Sequence, residues 1–552
     1  MAVDGMSFRL IAESEILRKA FSKGLQIDLP RSHKGVAKYL HEHADDMRKI
    51  VIEKLNDLKQ KGVRFGTDTD EYTSIGNKKY ATINLHSQEY SVCLGLVRCS
   101  GSTPATKYQQ LFDERMEAFG IDVKRDIICA TTDQASVMVL WGKLNPFEHI
   151  FCIVHGGHLA VTDVLYPKKK KAVEVIDYES DESDDDDDDD GNESDTEGAT
   201  TFTREEQNPD EATNLTPELE TPVANIRKMS RMFRKSFTKN SVLQGFVRAA
   251  HDGRELKLIL DVKTRWSSLK KMIQRFLLLQ VEVEMAVLAL KKDWPFDEDI
   301  LEQLTGLCEA LQLIEEAMSR LSRKDMCLVG ADAIYGHTIN ALGRLETPIA
   351  NDLRNSLFNR LDGRRIPVLS QLANFLHNHD YVSQRMDVFD HEINKRQIKE
   401  LANHLYSRLF AEPDGEETQM VVPVESEDEF FTDSNGDTVS DQSLSNGEKM
   451  DLLLNKISKG RSQQNTATQT TQSQFENELS KYERTGEMSP SIEKLANAIK
   501  NISVSSVEAE RIFSITGSYI TKIRSSLGDQ TVDDLVFLKK FYVQEKRSKI
   551  VK

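Results

Sequence analysis

The apolar positions of the first sixty residues recur every three to four places. Phe8, Leu10, Ile11, Ile16 and Leu17 open the pattern, and Val51, Ile52, Leu55 and Leu58 close it. That period predicts helices, and Pro30-Arg31-Ser32 is a helix start inside the segment. From Val63 the period changes. Val63 to Asp70, Lys79 to His86 and Tyr90 to Cys99 read as strands joined by short polar turns. Helical spacing returns over 106–119 in Tyr108, Leu111, Phe112, Met116 and Phe119. Two short apolar runs follow, Asp126 to Thr132 and His149 to Val154, each suited to a buried strand. The order is three strands, a helix, a strand, a short helix and a strand. That is the order of an RNase H-like fold, an α/β class with a mixed sheet that presents acids at strand ends.

Further along, 172–220 has few large apolar residues and contains Asp184 to Asp190 without interruption, so it predicts disorder. Residues 221–412 are helical again, with long amphipathic runs at Met272 to Leu290 and Ile300 to Leu321. A second flexible stretch covers about 413–474, and the helical period resumes from Phe475 to Tyr542. The chain therefore divides into an N-terminal helical segment (1–61) and the first part of the sheet domain (62–165). A basic then acidic linker (166–220) leads to an all-α insertion (221–412), a polar linker (413–474) and a closing helical region (475–552).

Charge changes this picture in one respect. The net charge is −17, but 178–197 holds thirteen acids and no base, and 425–448 holds eight acids and no base. Without those two stretches the balance is about +4. The folded part is thus open to nucleic-acid binding despite an acidic total. The six cysteines, Cys93, Cys99, Cys129, Cys152, Cys308 and Cys327, form no Cys-x-x-Cys pair, which suits a reducing compartment. No apolar run is long enough for a membrane span and no signal-peptide pattern opens the chain. Pro167 with Lys168 to Lys171 reads as a nuclear localisation signal. Arg227, Lys228, Arg231, Arg234, Lys235 and Lys239 recur at helical spacing, and with Lys263, Arg265, Lys270 and Lys271 they are candidate phosphate contacts.

Candidate chemistry lies in three places. Asp70 in Asp70-Glu71-Tyr72 and Asp133 in Thr131-Thr132-Asp133-Gln134 each sit where a buried strand meets a turn. In a sheet of the kind described, those strands lie side by side. Paired carboxylates are costly to ionise together unless a cation lies between them. Mg²⁺ takes oxygen ligands, and two such ions promote phosphodiester cleavage. The third place is Ser505-Ser506-Val507-Glu508-Ala509-Glu510-Arg511-Ile512-Phe513-Ser514. By itself it reads equally as a Ser-capped helix with an ordinary Glu–Arg pair.

The serine pair, the acid–Arg step and the aromatic–Ser step, followed by Gly517, Arg524-Ser525-Ser526-Leu527 and the apolar Val532, Leu535 and Leu538, resemble the C-terminal dimerisation region of hAT transposases. Thr131 to Met138, Phe151-Cys152-Ile153-Val154-His155 and Asp261 to Ser268 (DVKTRWSS) resemble three further blocks of that family, in the same order. The resemblance implies an RNase H-like catalytic domain interrupted by a helical insertion, with metal-dependent DNA strand cleavage and transfer. It places the catalytic and metal-binding acids at Asp70, Asp133 and Glu510, with Mg²⁺ or Mn²⁺ as cofactor. Tyr72 and Trp266 become candidates to stack on DNA bases, and Lys263, Arg265, Cys152 and His155 further DNA contacts. Phe513, Leu527, Val532, Leu535 and Leu538 become dimerisation residues of a homodimer or higher homo-oligomer. The Cys-x-x-His is half of a structural zinc site, and zinc is not expected. The family's BED-type zinc finger is not recognisable in this chain. The alternative is therefore a domesticated, catalytically inactive dimeric nuclear protein acting in transcription or chromatin.

Overall fold

The computed structural model describes residues 6–101, 103–167, 215–262, 265–411, 466–520 and 527–550. The basic run after Pro167, the acidic tract, Lys263, Arg524 to Ser526 and most of the second linker lie outside these residues.

Five strands form one sheet: β1 (Phe65–Thr73), β2 (Lys79–His86), β3 (Ser91–Cys99), β4 (Ile127–Thr132) and β5 (Glu148–Phe151). Their order across the sheet is β3-β2-β1-β4-β5. The first three pair antiparallel, while β4 runs parallel to β1 and β5 parallel to β4. Chain order dictates this mixture. Short turns suffice for the hairpins, whereas each parallel strand needs a helical crossover. The strands fall within two or three residues of the expected limits. The difference that matters is at β1, which continues to Thr73, so Asp70 lies within the strand rather than at its end.

Helices cover both faces. Those used below are α1 (His33–Gln60), α2 (Ala105–Ala118), α3 (Ser136–Leu144), α4 (Ile153–Leu165), α5 (Pro217–Lys235), α6 (Glu298–Leu321), α7 (Pro348–Asp362), α8 (Val507–Tyr519) and α9 (Asp529–Ile550). The predicted start at Pro30-Arg31-Ser32 is a cap: Ser32 Oγ accepts the Gly35 amide at 3.1 Å. The expected single run from Met272 to Leu290 is two helices, Trp266–Leu278 and Gln280–Ala289, separated at Leu279.

The core has two parts that meet at the sheet. One unites β1, β2, β3, α1, α2, α3, α8 and α9. The other joins Ile128 and Cys129 of β4, Ile150 of β5 and the buried face of α4 to the helices of 215–411 and 475–507. The insertion is therefore built onto the β4–β5 side and shares its core rather than forming a separate body. α4 against α7 is its tightest seam, with the Ser356 hydroxyl donating to the Ala160 carbonyl at 2.9 Å and Arg360 forking onto Asp163.

The first half of α9 is enclosed. Thr531 to Leu538 are all buried, between β3 on one side and α1 on the other. A buried ion cluster fastens it. Asp533 accepts from Arg48 at 3.2 Å, from Arg115 at 3.1 Å and from the Leu96 amide at 2.7 Å, while Asp534 meets Arg48 at 2.5 Å and also His41. Gly95, at φ 106°, admits this approach: a Cβ there would lie 2.0 Å from Asp533 Oδ1.

Candidate active site and the charged cavity beside it

Strand alternation decides which β1 side chains share a face. Gly66, Asp68, Asp70 and Tyr72 point to one side, Thr67, Thr69 and Glu71 to the other. β4 pairs in register with β1 through Asp68 opposite Thr131, so Asp133, two residues on, follows directly beside Asp70. Asp133 then leaves the strand, and its Oδ1 accepts the Ala135 amide at 3.2 Å at the entry to α3.

The third acid arrives from far along the chain, and a chain of backbone contacts aims it. Asn501 donates to the Arg64 carbonyl at 2.6 Å and accepts the Gln88 amide at 2.8 Å. A Cβ on Gly66 would lie 2.2 Å from the Asn501 carbonyl oxygen, so only glycine lets this segment lie on β1. Thr131 donates to the Ser503 carbonyl at 2.5 Å, the Ile153 amide to the Val504 carbonyl at 3.1 Å, and the Ser506 amide to Cys152 Sγ at 3.4 Å. α8 starts immediately after, over β1 and β2, and carries Glu510 to the Asp70 face.

Asp70, Asp133 and Glu510 are thereby brought into one electrostatic neighbourhood. Burial first, then Asp133, then Glu510 push the Asp70 carboxyl well above its ordinary range. Burial pushes Glu510 up to about 8, Arg511 opposes the shift, and Asp68 adds to it. Glu510 Oε2 is buried and accepts no hydrogen bond. A buried orphan acceptor beside two further carboxylates suits a hard divalent cation, because all the donors are oxygen. Among the described residues, however, no three His, Cys, Asp or Glu side chains are already grouped to hold a metal ion. The fit is one of donor chemistry and charge, without a preformed ligand cage.

Asp68 is a participant the sequence reading passes over. It is fully buried, accepts from Asn84 Nδ2 at 2.7 Å and meets His86 Nε2, and His86 Nδ1 lies 2.9 Å from Ser91 Oγ. Its two-residue spacing from Asp70 is the available signal.

The other proposed site residues divide. Cys152 is fully buried at the N-cap of α4, where its sulfur accepts the His155 amide at 3.5 Å. Burial, then Glu510, push its thiol up to about 11, so Cys152 adjoins the acid site as a neutral cap. His155 is half-buried on the first turn of α4. Tyr72 is half-buried and its ring stacks on Phe513, centroids 5.2 Å apart and 16° from parallel, so one ring face is already occupied. Arg265 is exposed.

Three expectations need correction. Trp266 is 6% exposed, and its indole N–H donates to His158 Nδ1 at 3.0 Å, so as folded it is a core anchor and not a stacking platform. Lys270 is buried against Gln312 and Glu315, and Arg227 is forked onto Asp261, so neither is free for phosphate. Lys228, Arg231, Arg234 and Lys235 of α5 do remain exposed. Of the proposed dimerisation residues, Phe513, Val532, Leu535 and Leu538 are buried within this chain, and Leu527 is half-buried against the same core. Their apolar spacing reports a helix that is covered by its own sheet.

On its other side α8 carries Glu508, Arg511 and Ile515, which face a cavity of about 590 Å³ bounded by β2, β3, α9 and the loop after α6. Glu508 is met there by Lys324 at 2.9 Å, by Lys540 at 3.1 Å and by Arg511. These cations outweigh its burial and hold its carboxyl far below the usual range.

Residues 463–542 match the model of the hAT family C-terminal dimerisation region. No curated protein matches the chain significantly. No described helix is long and apolar enough to cross a membrane. Over that C-terminal region the chain is similar to hAT-superfamily transposases.

Proposed function

We propose that this protein is a dimeric, DNA-associated hAT transposase-like enzyme of RNase H-like fold that cleaves and transfers DNA strands in the nucleus. What supports the reading is that α8 packs on β1, that β4 runs beside β1 in a register that leads Asp133 toward Asp70, and that Asp70 feels the charges of both Asp133 and Glu510. The strand order β3-β2-β1-β4-β5, with three antiparallel and two parallel members, supports the RNase H-like assignment. Asp70, Asp133 and Glu510 would hold Mg²⁺ or Mn²⁺, which when bound supplies an activated water or hydroxyl and a counter-charge for the leaving oxygen. The chain's own contribution is positioning. The 501–506 segment sets α8 against β1, and Cys152, capped and neutral, keeps a second anion away from Glu510. Tyr72 and Phe513 form an aromatic step at the edge of the site, against which an extruded base can pack.

The test is a strand-cleavage assay with purified protein on hairpin-forming DNA, with Mg²⁺ or Mn²⁺. Wild type is expected to cut, and Glu510→Gln to lose cleavage by roughly a hundredfold or more while still folding. Equal cutting by both proteins would remove the three acids from the mechanism.

A second reading, a domesticated non-catalytic dimer acting in transcription or chromatin, is favoured by the absence of a preformed ligand trio among the described residues. It predicts DNA binding without cleavage under the same conditions.

A further inference from the structure

We propose that the cavity on the far side of α8 is a binding site for a phosphate monoester, separate from the three-acid site. The inference does not depend on whether those acids cut DNA. It starts from the two faces of one helix. Glu510, Phe513 and Gly517 follow each other at helical spacing toward Asp70 and Tyr72, while Glu508, Arg511 and Ile515 do so toward the cavity. α8 is thus a partition, with acids gathered on one side and cations on the other.

The charge around the cavity is unbalanced. Arg323 and Asp325 neutralise each other through two hydrogen bonds of 3.0 and 2.7 Å. What remains is Lys324, Arg511 and Lys540 against the single carboxylate of Glu508, a surplus of two positive charges. Asp68 does not line the cavity: it lies behind Asn84 and His86, on the side of Glu510. The surplus matches a phosphate monoester, which carries close to two negative charges at neutral pH. It exceeds what a single carboxylate ligand would need.

Donor capacity is also left over. Each lysine ammonium has three donors, and the Arg511 guanidinium five. Arg511 gives Nη1 to Glu508 and Nη2 to the Ser322 carbonyl at 3.3 Å. Ser91 and Asn84 line the same space, already engaged with His86 and Asp68. At about 590 Å³ the cavity is in the size range of small-ligand sites. Glu508 serves as a placeholder: it holds three cations in one place before the phosphate arrives, and it competes with the phosphate for them.

This competition makes the sign of one substitution diagnostic. The probe is a fluorescent single-stranded oligonucleotide with a 5′-phosphate, compared with its 5′-hydroxyl form, by anisotropy with full-length protein and no divalent cation. Inorganic pyrophosphate is the competitor. Wild type is expected to prefer the phosphorylated end. Glu508→Gln, which removes the competing anion, is expected to tighten that binding about tenfold. Lys324→Gln, which removes one charge-assisted hydrogen bond to the phosphate, is expected to weaken it about tenfold. Lys324 lies in a loop and is 43% exposed, so its variant folds even if Glu508→Gln does not. Competition by pyrophosphate assigns the site to free phosphates as well as strand ends, and its absence assigns it to strand ends alone. Equal binding of the phosphorylated and hydroxyl ends, or a folded Lys324→Gln that binds like wild type, would overturn the proposal.

Discussion

Glu508 and Glu510 are two residues apart on one helix and live in opposite electrostatic worlds. Glu508 meets three cations that outweigh its burial and draw its carboxyl far below the usual range, while burial with an unpaired oxygen pushes Glu510 up to about 8. Nothing in Glu-Ala-Glu distinguishes them. The distinction comes from what the fold brings to each side of α8, Lys324 and Lys540 on one and Asp68 and Asp70 on the other. A divalent cation would relieve the second environment, because it favours the ionised forms of the acids that now repel each other. At pH 8, Mg²⁺ or Mn²⁺ is therefore expected to raise the melting temperature of wild type by roughly 2 °C or more, since a ligand that binds only the folded state stabilises it. Glu510→Gln should show little of this rise in the same thermal scan. An identical rise in both proteins would mean that the cation acts elsewhere.

At the scale of elements, α9 is the instructive case. Val532, Leu535 and Leu538 carry the spacing of an interface helix, and the family match places them in a dimerisation region. In the folded chain they face β3 and α1, and the Arg48–Asp533–Asp534 cluster holds the helix there. The homodimer supported by the family match must therefore use other surface of 463–542, or surface outside it. Leu535→Ala is expected to cost about 2–5 kcal/mol of folding stability, as for other buried leucines. Urea denaturation would measure it. The observation that would contradict this placement is a variant of wild-type stability that sediments as a monomer.

For the whole molecule, two buried histidines, His149 against α3 and His158 at the seam between sheet and insertion, contribute to acid sensitivity. Burial holds His149 down to about 4, and burial followed by His155 holds His158 down to about 3. Both are neutral in the folded protein and ordinary histidines, near 6.5, when unfolded. At these two sites the unfolded state thus binds more protons below that value, so their contribution to stability is complete above pH 6.5 and falls as the pH drops toward 4. His158→Gln, which keeps an acceptor for Trp266, is expected to flatten this decline between pH 6.5 and 4.5 in chemical denaturation. A decline as steep as that of wild type would show that His158 is not a main source of it.

Periodicity along the chain is enough to determine the five strands, their order in sequence and the helical insertion, while Asp70, Asp133 and Glu510 are singled out as one set only by what the hAT resemblance implies. Local spacing and short motifs are written within a few residues of each other. Periodicity does not assign partners. Trp266 reads as a free aromatic, but His158 lies against it. Lys270 reads as a phosphate contact, but Glu315 closes over it, and Phe513 reads as an interface residue, but Tyr72 stacks on its ring. The cavity beside α8 is invisible along the chain for the same reason, since its walls come from the loop after α6, the β2–β3 hairpin, α8 and α9. Burial and charge balance depend on contacts between segments far apart in sequence. Only the tertiary structure decides which side of a helix meets acids and which meets bases.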